Sequence, residues 1–469
     1  MGDLRKLVRG ALAVIAGCAF GFTAQAKPPE QGMAALVGVD VLDADFATIL
    51  PDRTILIDDG VIVAIGPADM AVPDGATVHD LAGKTVIPGL WDAHVHSRYL
   101  GIDHPRLMIV HGITTIRDLG GGWEHQRRIF DWREKIESGE MAGPRIWSAA
   151  TVLDNSGAGW SHIGLVHSPE EAREQVRRLK REGADFVKVY SNLTPENYDA
   201  IIDEASKVGL PVDGHVPLSI GVERAIRSGQ RVIEHAEEIA IALADHEPEK
   251  NADGYLLWTD LEGRLSRDKA AELAALMLEH GSYLSPTLNL GPHFNSLKTD
   301  TEAALANPAL RFIPPPYLVA WKPRLDRPLW PSALPSARVE KEAIGLLHEA
   351  GVRIIAGTDT VKPYFVPGHA LHDELVALVG AGLSEGEVIR AATRTPAEMV
   401  GALGQGLIAK GQAADLLVLD ASPLEDIANT RRIAMVVAAG RIYDREALAA
   451  MREDVAAKAA VWDGEPTGR

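Results

Sequence analysis

Between about Thr85 and Leu403 the chain alternates short β-branched runs with amphipathic helical stretches, and no other feature of the sequence restricts the fold as much. Eight runs read as strands: TVIPGLWDAHVH, GITTIRDLG, PRIWSAA, ADFVKVY, LPVDGHV, QRVIEHA, GSYLSPTL and VRIIAGTD. The helices between them carry local end signals. SPEEAREQVRRLKREG opens on a serine cap, and SRDKAAELAALMLEHG stops at a glycine. Eight β/α units predict an α/β protein built on a (β/α)₈ TIM barrel, longer than the ~250 residues typical of that architecture and therefore rich in long loops.

A different texture flanks this middle. ALVGVDVL, TILIDDG and VIVAIG near the start, and ADLLVLD and IAMVVAAGRIYD near the end, are short β runs separated by Asp, Gly and Pro. Neither group is large enough to bury a face alone, so the two are expected to pack together as a small β-sandwich from residues 27–84 and 404–447. The barrel, residues 85–403, is then an insertion in that sandwich, and 448–469 form a C-terminal helix or tail. The longest expected loop runs from Leu288 to about Ala337. Ten of the 28 prolines fall between Pro286 and Pro335, together with Phe294, Phe312, Tyr317, Trp321 and Trp330. Following the seventh strand, the loop leaves the C-terminal face of the barrel and reads as a rigid cap over the site.

Composition excludes several partners. With 47 Lys and Arg against 65 Asp and Glu the formal charge is −18, the wrong sign for nucleic acid or anionic lipid. The single cysteine, Cys18, rules out a disulfide within the chain. It lies in a leader-like segment: Arg5, Lys6 and Arg9, an apolar run from Ala11 to Phe22, then Ala24-Gln25-Ala26. This pattern predicts an exported protein, periplasmic or secreted, cleaved after Ala26. The apolar run is shorter than the ~20 residues that span a bilayer, and no later stretch is long enough. Ile15-Ala16-Gly17-Cys18 resembles a lipobox, so a lipidated Cys18 is the alternative; the apolar continuation to Phe22 favours the longer leader. Oligomeric state is left open, a homo-oligomer included.

The chemistry-bearing residues cluster at strand ends. His94 and His96 stand two apart on a strand and point to one side, so both can reach one metal ion. Alone, such a pair is as readily part of a packed core. His215 ends LPVDGH, His235 ends RVIEH and Asp359 ends RIIAGTD, so five metal-capable groups share the ends of strands 1, 5, 6 and 8, on the face where a barrel gathers its ligands. Lys188 sits inside the apolar strand ADFVKVY, where a bare ammonium is costly. It either pairs with a carboxylate or, with its pKa lowered by burial, reacts with CO₂ to give a carbamate.

These motifs, PG-x-x-DAHVH, FVKVY, DGHVP, IEH and AGTD, together with the β segments at both ends, resemble the amidohydrolase superfamily, and within it the imidazolonepropionase-like and prolidase-like (Xaa-Pro dipeptidase-type) branch, over about residues 34–445. The resemblance implies two divalent metal ions. His94, His96 and Asp359 would hold the more buried one, His215 and His235 the more exposed one, and carbamylated Lys188 with a hydroxide would bridge them. Zinc suits imidazole and carboxylate ligands, though ligand type does not exclude cobalt, manganese or iron. Asp359 would act as general base and pass the proton to the leaving nitrogen. Tyr190, two beyond Lys188, resembles tyrosines that hydrogen-bond the substrate carbonyl in related enzymes.

Other residues are weaker candidates. His162 in GWSHIG is a substrate contact or an ordinary loop residue. His369 and His372 line the rim or cap a helix. Arg117 and Asp118, which end the second strand, have a functional role or form an ion pair at the barrel rim, and Arg311, Lys322, Arg324 and Arg327 read as solvated cations or a carboxylate anchor. The pattern Gly382-x-Ser384-x-Gly386 follows a helix rather than a strand, so Ser384 with Glu387 is read as a capping box, not a nucleophile elbow.

The expected function is metal-dependent hydrolysis of an amide or peptide C–N bond in a small substrate, a dipeptide or N-acyl amino acid. The alternatives are a cyclic-amide hydrolase or deaminase of imidazolonepropionase type, which the resemblance associates with one metal and no bridging lysine, a lactonase or phosphotriesterase, and a non-catalytic barrel scaffold.

Overall fold

A computed structural model of the chain describes residues 32–97, 99–156, 163–250, 256–326 and 333–466. The expected leader at 1–26, with Cys18, and the candidates His162 and Arg327 lie outside the described residues.

Both terminal segments contribute to one eight-stranded sheet. Thr85–Pro88 is the strand that joins them. It runs parallel to Ala34–Leu42, with Asp40 opposite Thr85, and antiparallel to Leu416–Leu419, with Leu416 opposite Pro88. The sheet curls until Val61 bridges Ala413. Its residues divide between two cores. Val86, Leu416, Val418, Met435 and Val437 face the interior of the curl with Leu36, Ile55 and Ile62, whereas Ile87, Leu417, Leu419, Val436 and Ala438 join the core shared with the barrel. Burial on both faces explains why these strands read as unbroken apolar runs. Each such Val, Leu or Ile contributes roughly 1.5–3 kcal/mol of transfer free energy.

The run TVIPGLWDAHVH is therefore two strands rather than one. Thr85–Pro88 belongs to the sheet, and the barrel begins with Leu90–Val95, which moves the expected division at residue 85 to Gly89. A side chain at Gly89 would come within 2.3 Å of Thr114 Oγ1, so only glycine lets the chain cross from sheet to barrel here.

The barrel strands are Leu90–Val95, Ile113–Asp118, Arg145–Ser148 continued by Val152–Asp154, Val187–Val189, Val212–Gly214, Gln230–Glu234 and Tyr283–Ser285. All pair in parallel. The third is broken at Ala150, whose φ is 65°. The eighth, residues 354–360, is irregular, held by parallel bridges from Ile354 to Leu284 and from Thr360 to Val95 that close the ring.

The stretch expected as an irregular loop is helical. Leu290–Thr299, Thr301–Leu305, the 3₁₀ turn Pro308–Phe312 and Pro315–Leu325 lead toward the long helix Ala333–Glu349. Its prolines mostly sit in first turns, where a missing N–H costs nothing, so they start helices rather than prevent them. Buried Tyr317 stacks between Tyr99 and Trp462, with ring centroids 5.0 and 5.5 Å away. The segment rests on the loop after Asp359: His293 Nε2 lies 2.9 Å from the Pro363 carbonyl, and the Tyr364 hydroxyl donates to the Leu318 carbonyl. The C-terminal helix runs from Arg445 to Val461. No helix among the described residues is long and apolar enough to cross a membrane.

Candidate metal centre

The alternation in Leu90–Val95 turns Asp92 and His94 into the barrel, and His96 continues on that side. Asp92 is fully buried. It accepts the backbone N–H of His94 at 3.3 Å and both the N–H and hydroxyl of Thr358, at 3.1 and 2.8 Å. Burial pushes its carboxyl up to about 7. The His94 carbonyl in turn accepts the N–H of Asp359 at 2.7 Å, so the first strand and the eighth interlock. Gly357 lets them meet, since a Cβ there would lie 2.6 Å from that of His94.

This interlock gathers His94, His96 and Asp359, whose ligand atoms lie within 4.8 Å of one another. Asp359 Oδ1 is 3.3 Å from His96 Nε2 and 3.6 Å from His94 Nε2. His215 and His235 sit beside them, their Nε2 atoms 3.0 Å apart and the His235 ring centroid 4.9 Å from that of His94.

All four imidazoles are held by Nδ1. His94 Nδ1 donates to Glu234 Oε2 at 2.7 Å, and His96 Nδ1 to the Gly120 carbonyl at 2.7 Å. His215 Nδ1 meets the Ser191 hydroxyl at 2.9 Å, and His235 Nδ1 the Thr287 hydroxyl at 2.8 Å. A carboxylate or carbonyl can only accept, so in His94 and His96 the proton is on Nδ1 and the lone pair on Nε2 faces the cluster. Burial depresses all four pKa values, His96 to about 4 and His235 to about 3, which keeps the rings in the neutral form a metal ion needs. Burial works against the Asp359 carboxylate, but Lys362, 2.9 Å from Oδ2, and the two histidines outweigh it and hold the group well below its ordinary value.

Lys188 is fully buried, and its Nζ has no hydrogen-bond partner. Burial lowers its pKa to about 8 against the pull of Glu234 and Asp359, and its charge depresses His94, His215 and His235 alike. The Nζ and His94 Nε2 are both buried atoms without a hydrogen-bond partner, and His94 belongs to the group of ligand-type side chains on which the Lys188 charge acts. The donor set fits divalent cations.

The tyrosine and histidine candidates divide. The half-buried ring of Tyr190 lies 4.1 Å from that of His215, inside the cluster's wall. His372 is buried away from it, between the Thr430 hydroxyl and the His111 carbonyl, while His369 begins the helix His369–Gly380. Arg311 pairs with Glu453, and Lys322 and Arg324 are exposed. Ser384 forms the capping box with Glu387.

The ion pair expected between Arg117 and Asp118 does not form. Arg117 is fully buried in the barrel, reaching Glu234 and Asp213, the latter at 3.1 Å, and the Ala93 carbonyl. Asp118 instead accepts the N–H groups of Ser97 and Gly120 and meets His125 Nε2, each at 2.9 Å. Sequence reasoning thus missed a charged layer under the centre: Glu234, Arg117, Asp213 and Arg231, which reaches Asp213 Oδ1 at 3.0 Å. The available signal was the one that singled out Lys188, a charge inside an apolar strand. Ser191, Thr287 and Lys362 were missed too, and loop hydroxyls offer no such signal. Glu237 and Glu238 follow His235 on the next helix. Burial and mutual repulsion push Glu238 up to about 7 and Glu340, on the helix packed against theirs, up to about 8.

Comparison with known proteins agrees with this geometry. A model of the amidohydrolase family matches residues 85–443. Ochratoxinase of Aspergillus niger is 24% identical over 448 residues, covering 81% of this chain and 79% of its own length. Imidazolonepropionase of Deinococcus deserti is 25% identical over 397 residues, covering 82% and 89%. Among solved structures, a protein assigned as a prolidase in Bifidobacterium longum superposes with a TM-score of 0.67 at 27% identity, covering 91% of this chain and 100% of that one.

Proposed function

Because the chain belongs to the amidohydrolase family and is a hydrolase of carbon–nitrogen bonds, we propose that it cleaves the amide or peptide bond of a small substrate, a dipeptide or N-acyl amino acid, at a centre of two divalent metal ions. The observation that carries this reading is the grouping of His94, His96 and Asp359 with the facing Nε2 atoms of His215 and His235 beside them, together with the buried, unpartnered amine of Lys188, whose charge acts on three of those rings. His94, His96 and Asp359 would hold one ion, His215 and His235 the other, and a carbamate on Lys188 would serve both. Zinc suits the donors. Cations held there acidify water and polarise a carbonyl oxygen.

The protein's own groups do the rest. Asp359, ionised and steered by Lys362 on Oδ2, takes the proton of the attacking water and delivers it to the leaving nitrogen, so that amide and water become carboxylate and protonated amine. The Tyr190 hydroxyl donates to the substrate carbonyl. Glu234 and Arg117 fix the ring of His94 and its tautomer. The helical segment 290–325, resting on the loop after Asp359, limits water at the site.

The imidazolonepropionase relative favours a second reading, cyclic-amide hydrolysis, but the buried unpartnered Lys188 has no task in it. The test is a panel of Xaa-Pro and other dipeptides, N-acyl amino acids and cyclic amides on zinc-replete enzyme. Turnover of linear amides supports the proposal; turnover of cyclic amides alone replaces it. The basic-apolar-AQA pattern of residues 5–26 supports export, and sequencing of the mature protein should then begin at Lys27.

A further inference from the structure

The turn after the seventh barrel strand is held in an unusual way. Thr287, whose hydroxyl meets His235 Nδ1 at 2.8 Å, has a φ of 50°, in the left-handed region that β-branched residues avoid. Such a conformation is strained and persists only where its surroundings over-determine it. The turn is gripped by a carboxyl group that burial pushes up to about 8. Glu374 is fully buried, and it accepts the next two backbone N–H groups, Leu288 on Oε1 at 3.0 Å and Asn289 on Oε2 at 2.7 Å. The Thr287 carbonyl closes the turn by accepting the N–H of Leu290, the first residue of the helix that opens the segment over the site.

Glu374 belongs to the helix His369–Gly380, whose neighbouring residues are fastened elsewhere. Asp373 pairs with Arg431, and His372 bridges the Thr430 hydroxyl and the His111 carbonyl. The helix is thus pinned on one side and grips the turn on the other. His235 itself has a φ of 72°, so its strand has ended and its ring direction depends on what Nδ1 meets.

We propose that Glu374 is a positioning residue for the metal centre: its carboxyl group fixes the turn 287–289 and, through the Thr287 hydroxyl, the ring of His235. The inference rests on the two-metal reading above. Its role is to keep the more exposed ion tightly bound, without touching metal or substrate.

The test is zinc titration against a chelating dye, with melting temperature as the check of folding. In Glu374→Gln the carboxamide keeps one acceptor and turns an N–H₂ toward the second N–H. The weaker zinc affinity should fall 10–100-fold, as when an outer hydrogen-bond partner of a ligand is lost, while the tighter one stays within about threefold. The affinity that falls should be the one His235→Ala abolishes. Thr287→Val should reproduce the loss, and combining it with Glu374→Gln should add little, because both act along one path. Asp373→Asn, on the same helix, should change neither affinity. Should Glu374→Gln fail to fold, Glu374→Asp keeps the carboxyl group, draws it back by one methylene and should cost the weaker site about 3–10-fold. Two zinc ions in the wild type with unchanged affinities in the Glu374 variants, or an equal loss at both sites, would overturn the clamp alone. A wild type that binds one zinc would overturn the two-metal reading and this inference with it.

Discussion

Replacing Arg117 by methionine should be the most damaging single change beneath the metal centre. Its guanidinium is completely buried, lies 4.8 Å above the Phe186 ring and serves Glu234, Asp213 and the Ala93 carbonyl. Asp213 would keep Arg231, at 3.0 Å. Glu234 would keep His94, whose pKa burial has lowered, and the more distant charge of Lys188. Stranding one buried charge typically costs about 3–5 kcal/mol, a large part of a domain's ~5–15 kcal/mol. The pH dependence discriminates further. Burial opposes Glu234 ionisation in the wild type, but Arg117 and His94 outweigh it and hold the carboxyl well below its ordinary 4.5. A depressed carboxylate contributes stability above pH 4.5 that is lost as pH falls through the folded value. Without Arg117 burial prevails and the folded value rises above 4.5. The folded state then keeps a proton that the unfolded state releases, and stability falls as pH rises. Urea unfolding of metal-free protein should therefore show a gap of about 3–5 kcal/mol at pH 7 that narrows toward pH 4.5. A gap below about 1 kcal/mol, or one that widens toward acid, would refute the argument.

Two further outcomes follow from the site. Asp359→Asn should lower kcat by about 10²–10⁴-fold with the fold intact, the usual contribution of a general base; steady-state kinetics beside circular dichroism checks it, and unchanged kcat would place the chemistry elsewhere. Glu340→Gln should stabilise the protein at pH 8.5 by about 1 kcal/mol and hardly at all below pH 4.5. Burial raises Glu340 to about 8 in the folded state, so its ionisation opposes folding across that window. Thermal melts at the two pH values measure the difference.

Much of the centre was legible because a (β/α)₈ barrel gives position a meaning: His94, His96, His215, His235 and Asp359 end runs that read as strands, and strand ends converge. The capping box at Ser384 was legible because capping is local. What stayed hidden depends on distant partners. Arg117 lies 96 and 117 residues from the carboxylates it joins, so its place inside an apolar strand could signal burial but not which partners it meets. Thr85–Pro88 read as the start of a barrel strand because its partner Leu416–Leu419 lies at the other end of the chain. In the proline-rich stretch the same residues that forbid a helix interior favour its first turn, and only packing of Tyr317 and Trp321 decides between them.

The most direct test of the account is metal content per folded chain, by elemental analysis, joined to intact mass under mild conditions, for the wild type and Lys188→Ala. Two divalent ions and an added ~44 Da of CO₂ in the wild type, with the mass increment absent and metal occupancy reduced in the variant, are the predicted result. A single ion and an unmodified lysine in the wild type would contradict it.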